Sequence, residues 1–238
     1  MSKVQAVILA GGQGSRLRPY TTILPKPLMP LDEFPIVEVI IRQLAYYGIK
    51  HLVISTGHLA GLIEAFCGNG ERWGVSIRYV KENQPLGTAG ALQLIENLED
   101  HFLIINGDVL TDLNFKDFFK YHKAKKGIAT IAVEERVVKT DFGVIECRGQ
   151  NELKDYIEKP EHKSLVSMGI NILNKRCKRY VAKDERLGMP ELMLRMRDRG
   201  EKIYCFKHPG MWLDLGRIDD LEQAQDVFRK HKKSFLLT

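Results

Sequence analysis

The sequence contains few cysteines and no long apolar run. Its 238 residues include four cysteines, far apart and without a Cys-x-x-Cys pair, so neither a zinc site nor a disulfide framework is predicted. We expect reduced, mostly buried thiols at Cys67, Cys147, Cys177 and Cys205. No apolar segment is long enough to span a membrane, and no signal peptide precedes the first strand-like run. These absences predict a cytoplasmic protein that has no membrane partner.

Internal repeats and low-complexity linkers are also missing. The hydrophobic fraction of 44% supplies a substantial core, and the charged fraction of 28% is ordinary for a folded domain. The length suits one α/β domain or two small ones. We interpret residues 1–238 as one domain, with a nucleotide-binding half over about 1–125 and a sugar-phosphate-binding half over about 126–238.

The net charge of +6 is compatible with a polyanionic partner. Nucleic acid is one candidate on charge alone, but the sequence contains no recognition motif and its cations are dispersed. The basic segment 229–233 is typical of a solvated helix end. We therefore predict no nucleic-acid partner.

The stretch from Val4 to Pro30 carries the strongest functional signal. An apolar, strand-like run ends in glycines, and three cations follow at Arg16, Arg18 and Lys26, the last between two prolines. Glycines allow backbone N–H groups to approach a phosphate, and arginine and lysine bind phosphate oxygens. The pattern predicts a polyphosphate cradle.

Two other interpretations of this stretch were considered. The glycines are also compatible with a simple tight turn between a strand and a helix. A dinucleotide-binding turn is disfavoured, because Leu17 occupies the position of the third glycine. In addition, the next strand-like run, His51–Ser55, does not end in an acidic residue that would bind a ribose hydroxyl.

The stretch resembles the sugar-1-phosphate nucleotidylyltransferases, which make NDP-sugars. Their pattern GGxGxRLxPxTxxxPKP is matched by residues 11–27. The resemblance implies that an NTP and a sugar 1-phosphate are the substrates, and that Arg16 and Lys26 are catalytic. It also implies nucleotide binding by Leu9, Ala10, Gly11, Gly12 and Gly14.

A second segment matches the family's nucleobase pocket. Residues 82–92 form a loop that opens into a helix rich in small residues, which leave room for a flat ring. The amide of Gln84 offers both donors and an acceptor to a base edge. An ordinary loop and helix start would have the same composition. The resemblance favours the pocket and adds Gly87 and Thr88 to the nucleotide-binding set.

Two carboxylates are candidates for metal binding. Asp108 follows a buried strand-like run, and ligands of open α/β sheets bind beyond the carboxyl ends of strands. Asp214 lies in the motif Trp-x-Asp-x-Gly. The resemblance implies that both aspartates bind Mg²⁺. Asp112 either shares this role or caps the helix expected over 114–121, and we favour the cap.

The resemblance also implies a sugar-phosphate site. Its residues are Asn106, Gly143, Glu158, Lys159, Ser167 and Gly169. On residue chemistry alone, Glu158 and Lys159 would be a solvated surface pair, whereas the resemblance favours binding to the sugar phosphate. Ser167 stands where the family commonly has asparagine, so the sugar remains open.

The expected fold is α/β. It is a Rossmann-like three-layer α/β/α domain with a mixed, mostly parallel sheet and a small β-rich sugar-binding insertion. We expect a short chain without an added domain to be a mannose-, heptose- or glucose-1-phosphate enzyme. The first choice is transfer of GMP from GTP to mannose 1-phosphate or to a related manno-configured sugar such as a heptose, with release of pyrophosphate. The alternatives are UTP or dTTP with glucose 1-phosphate, and a non-catalytic nucleotide-sugar sensor. A homodimer is compatible with the family.

Overall fold

The computed structural model describes residues 4–237. The strands are β1 (Gln5–Ala10), β2 (Pro30–Leu31), β3 (Phe34–Pro35), β4 (His51–Thr56), β5 (Ser76–Lys81), β6 (His101–Asn106), β7 (Val109–Thr111), β8 (Ala129–Lys139), β9 (Val144–Arg148), β10 (Glu152–Ile157), β11 (Glu161–Asn174), β12 (Ile203–Lys207) and β13 (Trp212–Asp214). The α-helices are α1 (Ile36–Tyr46), α2 (Ala60–Cys67), α3 (Gly87–Gly90), α4 (Phe115–Lys125), α5 (Met189–Asp198) and α6 (Ile218–Leu236). Within residues 4–237, no helix is both long and apolar enough to cross a membrane.

A seven-stranded sheet forms the centre of the molecule. Its strand order is β12-β8-β11-β6-β1-β4-β5. Only β11 runs antiparallel to its two neighbours, β8 and β6, and the other four pairings are parallel. Strands from both predicted halves of the chain share this sheet. Which half binds nucleotide and which binds sugar phosphate remains a prediction.

Helices cover both faces of the sheet. Alternate residues of β1 point to opposite sides, so that Ala6 and Ile8 belong to one hydrophobic core and Val7 to the other. Helices α1, α2, α4 and α6 contribute to the first core, and α3 and α5 to the second. The α/β/α layering and the mixed, mostly parallel sheet confirm the predicted fold class.

Two short ribbons lie outside the main sheet. Strands β9 and β10 form an antiparallel hairpin whose residues are largely exposed, in the place of the predicted β-rich insertion. Strands β7 and β13 pair over Val109–Thr111 and Trp212–Asp214. The second ribbon joins two segments about a hundred residues apart, next to the carboxyl end of β6.

The prediction of mostly buried cysteines was only half right. Cys67 and Cys177 are buried, and burial raises the pKa of each thiol to about 12. Cys147 and Cys205 are exposed, because one lies on the β9–β10 hairpin and the other on the edge strand β12. A strand-like sequence did not distinguish a central strand from an edge.

A buried histidine chain links α4 to the sheet. The Nδ1 atom of His122 lies 2.7 Å from Thr130 Oγ1, and its Nε2 lies 2.8 Å from His101 Nδ1. The Asn174 amide nitrogen lies 3.2 Å from His101 Nε2. Because the amide donates there, the proton of each ring is assigned to Nδ1, and both imidazoles are neutral. Burial, then His101, lowers the pKa of His122 to about 4.

From this chain of histidines we predict that the protein loses stability in mild acid. In the unfolded state His122 takes up a proton near pH 6.5, whereas in the folded state it stays unprotonated until about pH 4. After allowance for solvent screening, we expect this site to cost about 2 kcal/mol of unfolding free energy across that window. Urea unfolding at several pH values would measure it, and His122→Gln should show a shallower slope. Equal slopes in the two proteins would contradict the assignment.

Candidate active site

A cavity of about 350 Å³ lies beyond the carboxyl ends of β1 and β6. This is the edge of an open α/β sheet at which ligands bind. Its lining residues are Leu9, Ala10, Gly11, Gly12, Gly14, Ser15, Arg16, Lys26, Pro27, Glu82, Pro85, Gly87, Thr88, Asn106, Gly107, Asp108 and Gly216. Segments distant in sequence therefore converge on one cavity.

The segment after β1 contains 3₁₀ helices at Ser15–Leu17, Tyr20–Thr22 and Lys26–Leu28, and no α-helix before α1. This segment therefore offers no α-helix N-terminus to bind an anion, and its glycines and cations are the groups that could do so. Gly14 has φ +60°, and its carbonyl accepts from Leu17 N and from Thr21 Oγ1. A β-carbon at Gly14 would lie 2.8 Å from the Thr21 methyl group, so the turn requires glycine for both reasons.

Lys26 is paired with Asp108 at the wall of this cavity. The Lys26 ammonium contacts Asp108 Oδ2, and only 10% of the lysine side chain is exposed. Pro25 and Pro27 restrict the backbone on either side of it. The other carboxylate oxygen, Asp108 Oδ1, is buried and has no hydrogen-bond partner among residues 4–237. A buried, unsatisfied carboxylate oxygen is costly, which points to a missing cationic or donor ligand.

The β7–β13 ribbon brings Asp214 beside Asp108. In its register Asp214 lies opposite Val109, and Leu215 N donates to the Asp108 carbonyl at 3.0 Å. Partial desolvation, then the negative charge of Asp108, raises the pKa of Asp214 above its usual range. Lys26 and Arg16 act in the opposite direction.

Arg16 completes the charged end of the cavity. A β-carbon at Gly216 would lie 3.3 Å from both terminal nitrogens of the Arg16 guanidinium. The absence of a side chain at Gly216 therefore leaves room for Arg16 to lie over the segment that follows Asp214. Two cations and two carboxylates meet at this place.

The two carboxylates suit a Mg²⁺ ion. Within residues 4–237, no group of three or more His, Cys, Asp or Glu side chains could hold a metal by itself. Mg²⁺ is commonly bound by one or two carboxylates together with substrate phosphates and water. The unsatisfied Oδ1 of Asp108 and the neighbouring Asp214 fit that ligand set.

The prediction that Asp112 caps α4 was wrong. The cap is Asn114, whose side chain accepts from the backbone N–H groups of Lys116 and Asp117. Asp112 Oδ1 instead lies 2.8 Å from His208 Nε2 and accepts from Met211 N at 2.8 Å. It therefore fixes the loop that leads into β13. Asn114 is the cap because it lies directly before the first helical turn.

A second cavity of about 530 Å³ adjoins the first. The two cavities share Leu9, Thr88 and Asn106. The second is also lined by Ile104, Val109, Ile131, Ser167, Met168, Gly169, Asn171, Met189, Pro190, Met193, Leu194, Trp212 and Asp214. Trp212 is held in place by a 2.9 Å bond from its Nε1 to the Met168 carbonyl. Asp214 lines the second cavity and lies beside Asp108, which lines the first.

A family model described as nucleotidyl transferase matches residues 5–231. The chain belongs to the nucleotidyl transferase family. The match covers nearly the whole chain, including every segment that lines the two cavities. The resemblance to the sugar-1-phosphate nucleotidylyltransferases is therefore confirmed.

Named relatives within the family differ in substrate. This nucleotidyl transferase is 31% identical to a D-glycero-alpha-D-manno-heptose 1-phosphate guanylyltransferase of Aneurinibacillus thermoaerophilus, over 93% of the chain and 97% of the relative. It is 30% identical to a UTP–glucose-1-phosphate uridylyltransferase of Synechocystis, over 93% of the chain and 62% of the relative. A mannose-1-phosphate guanyltransferase of Yarrowia lipolytica is 31% identical, over 91% of the chain and 62% of the relative. The chain thus spans about three-fifths of the length of two of them.

The fold is also that of solved structures. HddC from Yersinia pseudotuberculosis superposes with a TM-score of 0.73, at 24% identity, over 94% of this chain and 99% of that one. At this identity the likeness supports the fold alone.

Most of the predicted site residues of this nucleotidyl transferase line one of the two cavities. They are Leu9, Ala10, Gly11, Gly12, Gly14, Arg16, Lys26, Gly87, Thr88, Asn106, Asp108, Ser167, Gly169 and Asp214. The other four line neither cavity. Gln84 is exposed on its loop, and Gly143, Glu158 and Lys159 flank the β9–β10 hairpin.

Glu82 also lines the first cavity and was not among the predicted site residues. It directly follows β5, whereas Gln84, two residues later, is exposed. An acidic residue at the carboxyl end of a parallel strand is placed to meet a ligand, so the position of Glu82 after a strand-like run was a usable signal.

Proposed function

We propose that the protein transfers a nucleoside monophosphate from an NTP to a sugar 1-phosphate, giving an NDP-sugar and pyrophosphate. The observation that carries the proposal is the convergence of Arg16, Lys26, Asp108 and Asp214 at the junction of two cavities. One cavity would take the NTP and the other the sugar. Phosphoryl-type transfer depends on this kind of positioning and charge neutralisation.

The proposed chemistry needs no protein nucleophile. A phosphate oxygen of the sugar 1-phosphate attacks the α-phosphorus and forms a P–O bond there. The bond from the α-phosphorus to the bridging oxygen breaks, and its electron pair leaves with pyrophosphate. Asp108 and Asp214 would hold Mg²⁺, which when bound neutralises negative charge on the reacting phosphates.

Each cation has a separate proposed role. Arg16 and the glycine turn bind the β- and γ-phosphates, because a guanidinium fork and free N–H groups suit the departing pyrophosphate. Lys26 stabilises charge at the α-phosphate. Its single ion pair with Asp108 leaves further ammonium protons for phosphate oxygens.

The sugar phosphate is proposed to enter the second cavity. Asn106, Ser167 and Gly169 border it. Gly143, Glu158 and Lys159 flank the β9–β10 hairpin and line neither cavity, so their contact with the sugar phosphate stays a prediction. Serine is shorter than asparagine. At Ser167 the contact with the sugar would therefore be lost, bridged by water, or made with a different sugar.

For the substrates we propose GTP with mannose 1-phosphate or another manno-configured sugar. The guanylyltransferases among its relatives support this choice, and the uridylyltransferase supports UTP or dTTP with glucose 1-phosphate as the alternative. A non-catalytic sensor is disfavoured, because such a protein has no need to keep both carboxylates and both cations.

The test is pyrophosphate release with Mg²⁺ across ATP, CTP, GTP, UTP and dTTP, each with a panel of sugar 1-phosphates. We expect one combination to dominate, with GTP as the nucleotide. Binding of an NTP without release with any sugar would favour the sensor. No binding of any NTP would contradict the proposed cradle.

A further inference from the structure

The β7–β13 ribbon that brings Asp214 beside Asp108 is short. It pairs only Val109–Thr111 with Trp212–Asp214. An isolated two-stranded ribbon is at best marginally stable in water. A slip of one residue would also turn every side chain of β13 to the opposite face, so that Asp214 would point away from Asp108. The position of the carboxylate pair therefore depends on the contacts that fix the register of β13.

The ribbon is fastened at both ends. At the end that carries the carboxylate pair, Leu215 N donates to the Asp108 carbonyl at 3.0 Å. At the other end, both backbone groups of Met211, the residue directly before β13, are bound. Met211 N donates to Asp112 Oδ1 at 2.8 Å, and the Met211 carbonyl accepts from Asp112 N at 3.2 Å and from Thr111 Oγ1 at 3.0 Å. Met211 is therefore fixed against the segment in which β7 ends.

His208 joins this end of the ribbon to the main sheet. It directly follows β12, its backbone N–H donates to the Val133 carbonyl at 2.9 Å, and only 9% of the residue is exposed. Its ring Nε2 lies 2.8 Å from Asp112 Oδ1. Because an ionised carboxylate can only accept, the ring proton is assigned to Nε2. One carboxylate oxygen of Asp112 thus binds both the end of β12 and the residue before β13.

The loop between His208 and Met211 leaves room for this carboxylate. A β-carbon at Gly210 would collide with Asp112 Oδ1 and would lie 2.6 Å from His208 Cε1. Any larger residue at Gly210 would therefore push the carboxylate off the loop. We call Asp112, His208, Gly210 and Met211 the β13 clamp.

Asp112 lines neither cavity, so it is not placed to bind a substrate or the metal itself. Met211, to which it is bound, lies three residues and about 10 Å along the strand from Asp214. We propose that Asp112 is a positioning residue for the metal site, which holds β13 in register through the β13 clamp and so keeps Asp214 beside Asp108. This inference rests on the proposed function of the two aspartates as Mg²⁺ ligands.

Asp112→Ala should release β13 and weaken metal binding, because Met211 N and the His208 ring both lose their acceptor. The probe is Mn²⁺ alone, which prefers the same oxygen ligands as Mg²⁺ and is followed by EPR. We expect it to bind at least about tenfold more weakly than to the wild type, as is usual when the support of a metal ligand is lost. By NMR, the Leu215 amide should exchange its proton about tenfold faster, whereas amides of β1 and β6 should change much less.

Asp112→Asn is the conservative variant. Its carbonyl oxygen can accept the same two hydrogen bonds, so Mn²⁺ affinity should stay within about threefold of the wild type. Asp198→Ala, at an exposed aspartate that lines neither cavity, is the matched control and should change neither measurement. A loss in Asp112→Asn as large as that in Asp112→Ala would mean that the charge acts without the clamp, and would overturn the proposal.

His208→Phe tests the clamp from its other side. It removes the donor but keeps an aromatic ring, and Met211 N still binds Asp112. We expect Mn²⁺ affinity to fall by only about threefold. The double variant should bind Mn²⁺ no more weakly than Asp112→Ala alone, because both changes act through one carboxylate. If Asp112→Ala fails to fold, His208→Phe carries the same test, and full Mn²⁺ affinity in that variant would then overturn the proposal.

Two further results would contradict the clamp. One is a loss of thermal stability in Asp112→Ala with unchanged Mn²⁺ affinity, which is what a merely structural residue would give. The other is weaker Mn²⁺ binding without faster exchange at Leu215. The proposed metal site can fail separately. If exchange at Leu215 quickens but Mn²⁺ does not bind the wild type, or binds Asp214→Asn equally well, the clamp is supported and the metal site is contradicted.

Discussion

Replacing Lys26 with methionine is expected to lower kcat by about 100- to 1,000-fold. Methionine keeps most of the length and apolar stem of lysine, so the nearly buried site should stay filled. What is lost is the fixed positive charge that we propose to lie beside the reacting phosphates. Such a charge acts most strongly as negative charge develops in the transition state, so kcat should fall more than KM for the NTP rises.

Two measurements separate this effect from a general loss of structure. Thermal unfolding should show that Lys26→Met remains folded, although Asp108 loses its partner. Lys50→Met is the matched control, because Lys50 is exposed at the amino-terminal end of β4, away from the cavities. If Lys26→Met kept wild-type turnover, or if KM alone changed, Lys26 would have no role in the transition state.

The sequence predicted the centre of this fold better than its margins. Strands such as β1 and β6 are buried on both faces, so they are continuous apolar runs that the sequence makes plain. The β9–β10 hairpin lies where the sequence predicts a β-rich insertion, but its position relative to the cavities could not be predicted. Orientation of an exposed hairpin depends on few contacts, and local sequence carries little information about it.

The sequence predicted those site residues that reach the cavity within one short segment. Arg16 and Lys26 follow one strand within a short segment, so their arrival at one cavity follows from the segment itself. The pairing of Asp108 with Asp214 came from the family resemblance, because the β7–β13 ribbon joins distant parts of the chain. Periodicity cannot predict a long-range ribbon of three residues.

The helix cap shows where local sequence is ambiguous. Asp112 is the predicted cap of α4, whereas Asn114 is the observed one. The two residues are two positions apart, and both are chemically suitable. Which of them caps the helix depends on backbone angles at that point, which composition does not reveal.

Replacing Asp214 with asparagine is expected to lower turnover while slightly raising stability. The change keeps the shape of the side chain but removes its charge, so Mg²⁺ would lose one of its two proposed anionic ligands. We expect turnover to fall by about 1,000-fold at low Mg²⁺ and to recover partly as Mg²⁺ is raised. In EDTA, however, the variant should be slightly more stable, by on the order of 1 kcal/mol or less, because partial desolvation and the charge of Asp108 oppose an ionised Asp214.

Opposite changes in turnover and stability would distinguish a metal-binding role of Asp214 from a structural one. A residue that only supported the β7–β13 ribbon would lose stability and activity together, and added Mg²⁺ would not restore turnover. Asp184→Asn, at an exposed aspartate outside both cavities, should change neither quantity. If Asp214→Asn were as active as wild type at every Mg²⁺ concentration, the carboxylate pair would not be the metal site, and the unsatisfied Asp108 Oδ1 would require a different partner. Two adjacent carboxylates, one of them partly desolvated, are costly to keep ionised, and bringing a cation to the phosphates is the function that would explain why both are present.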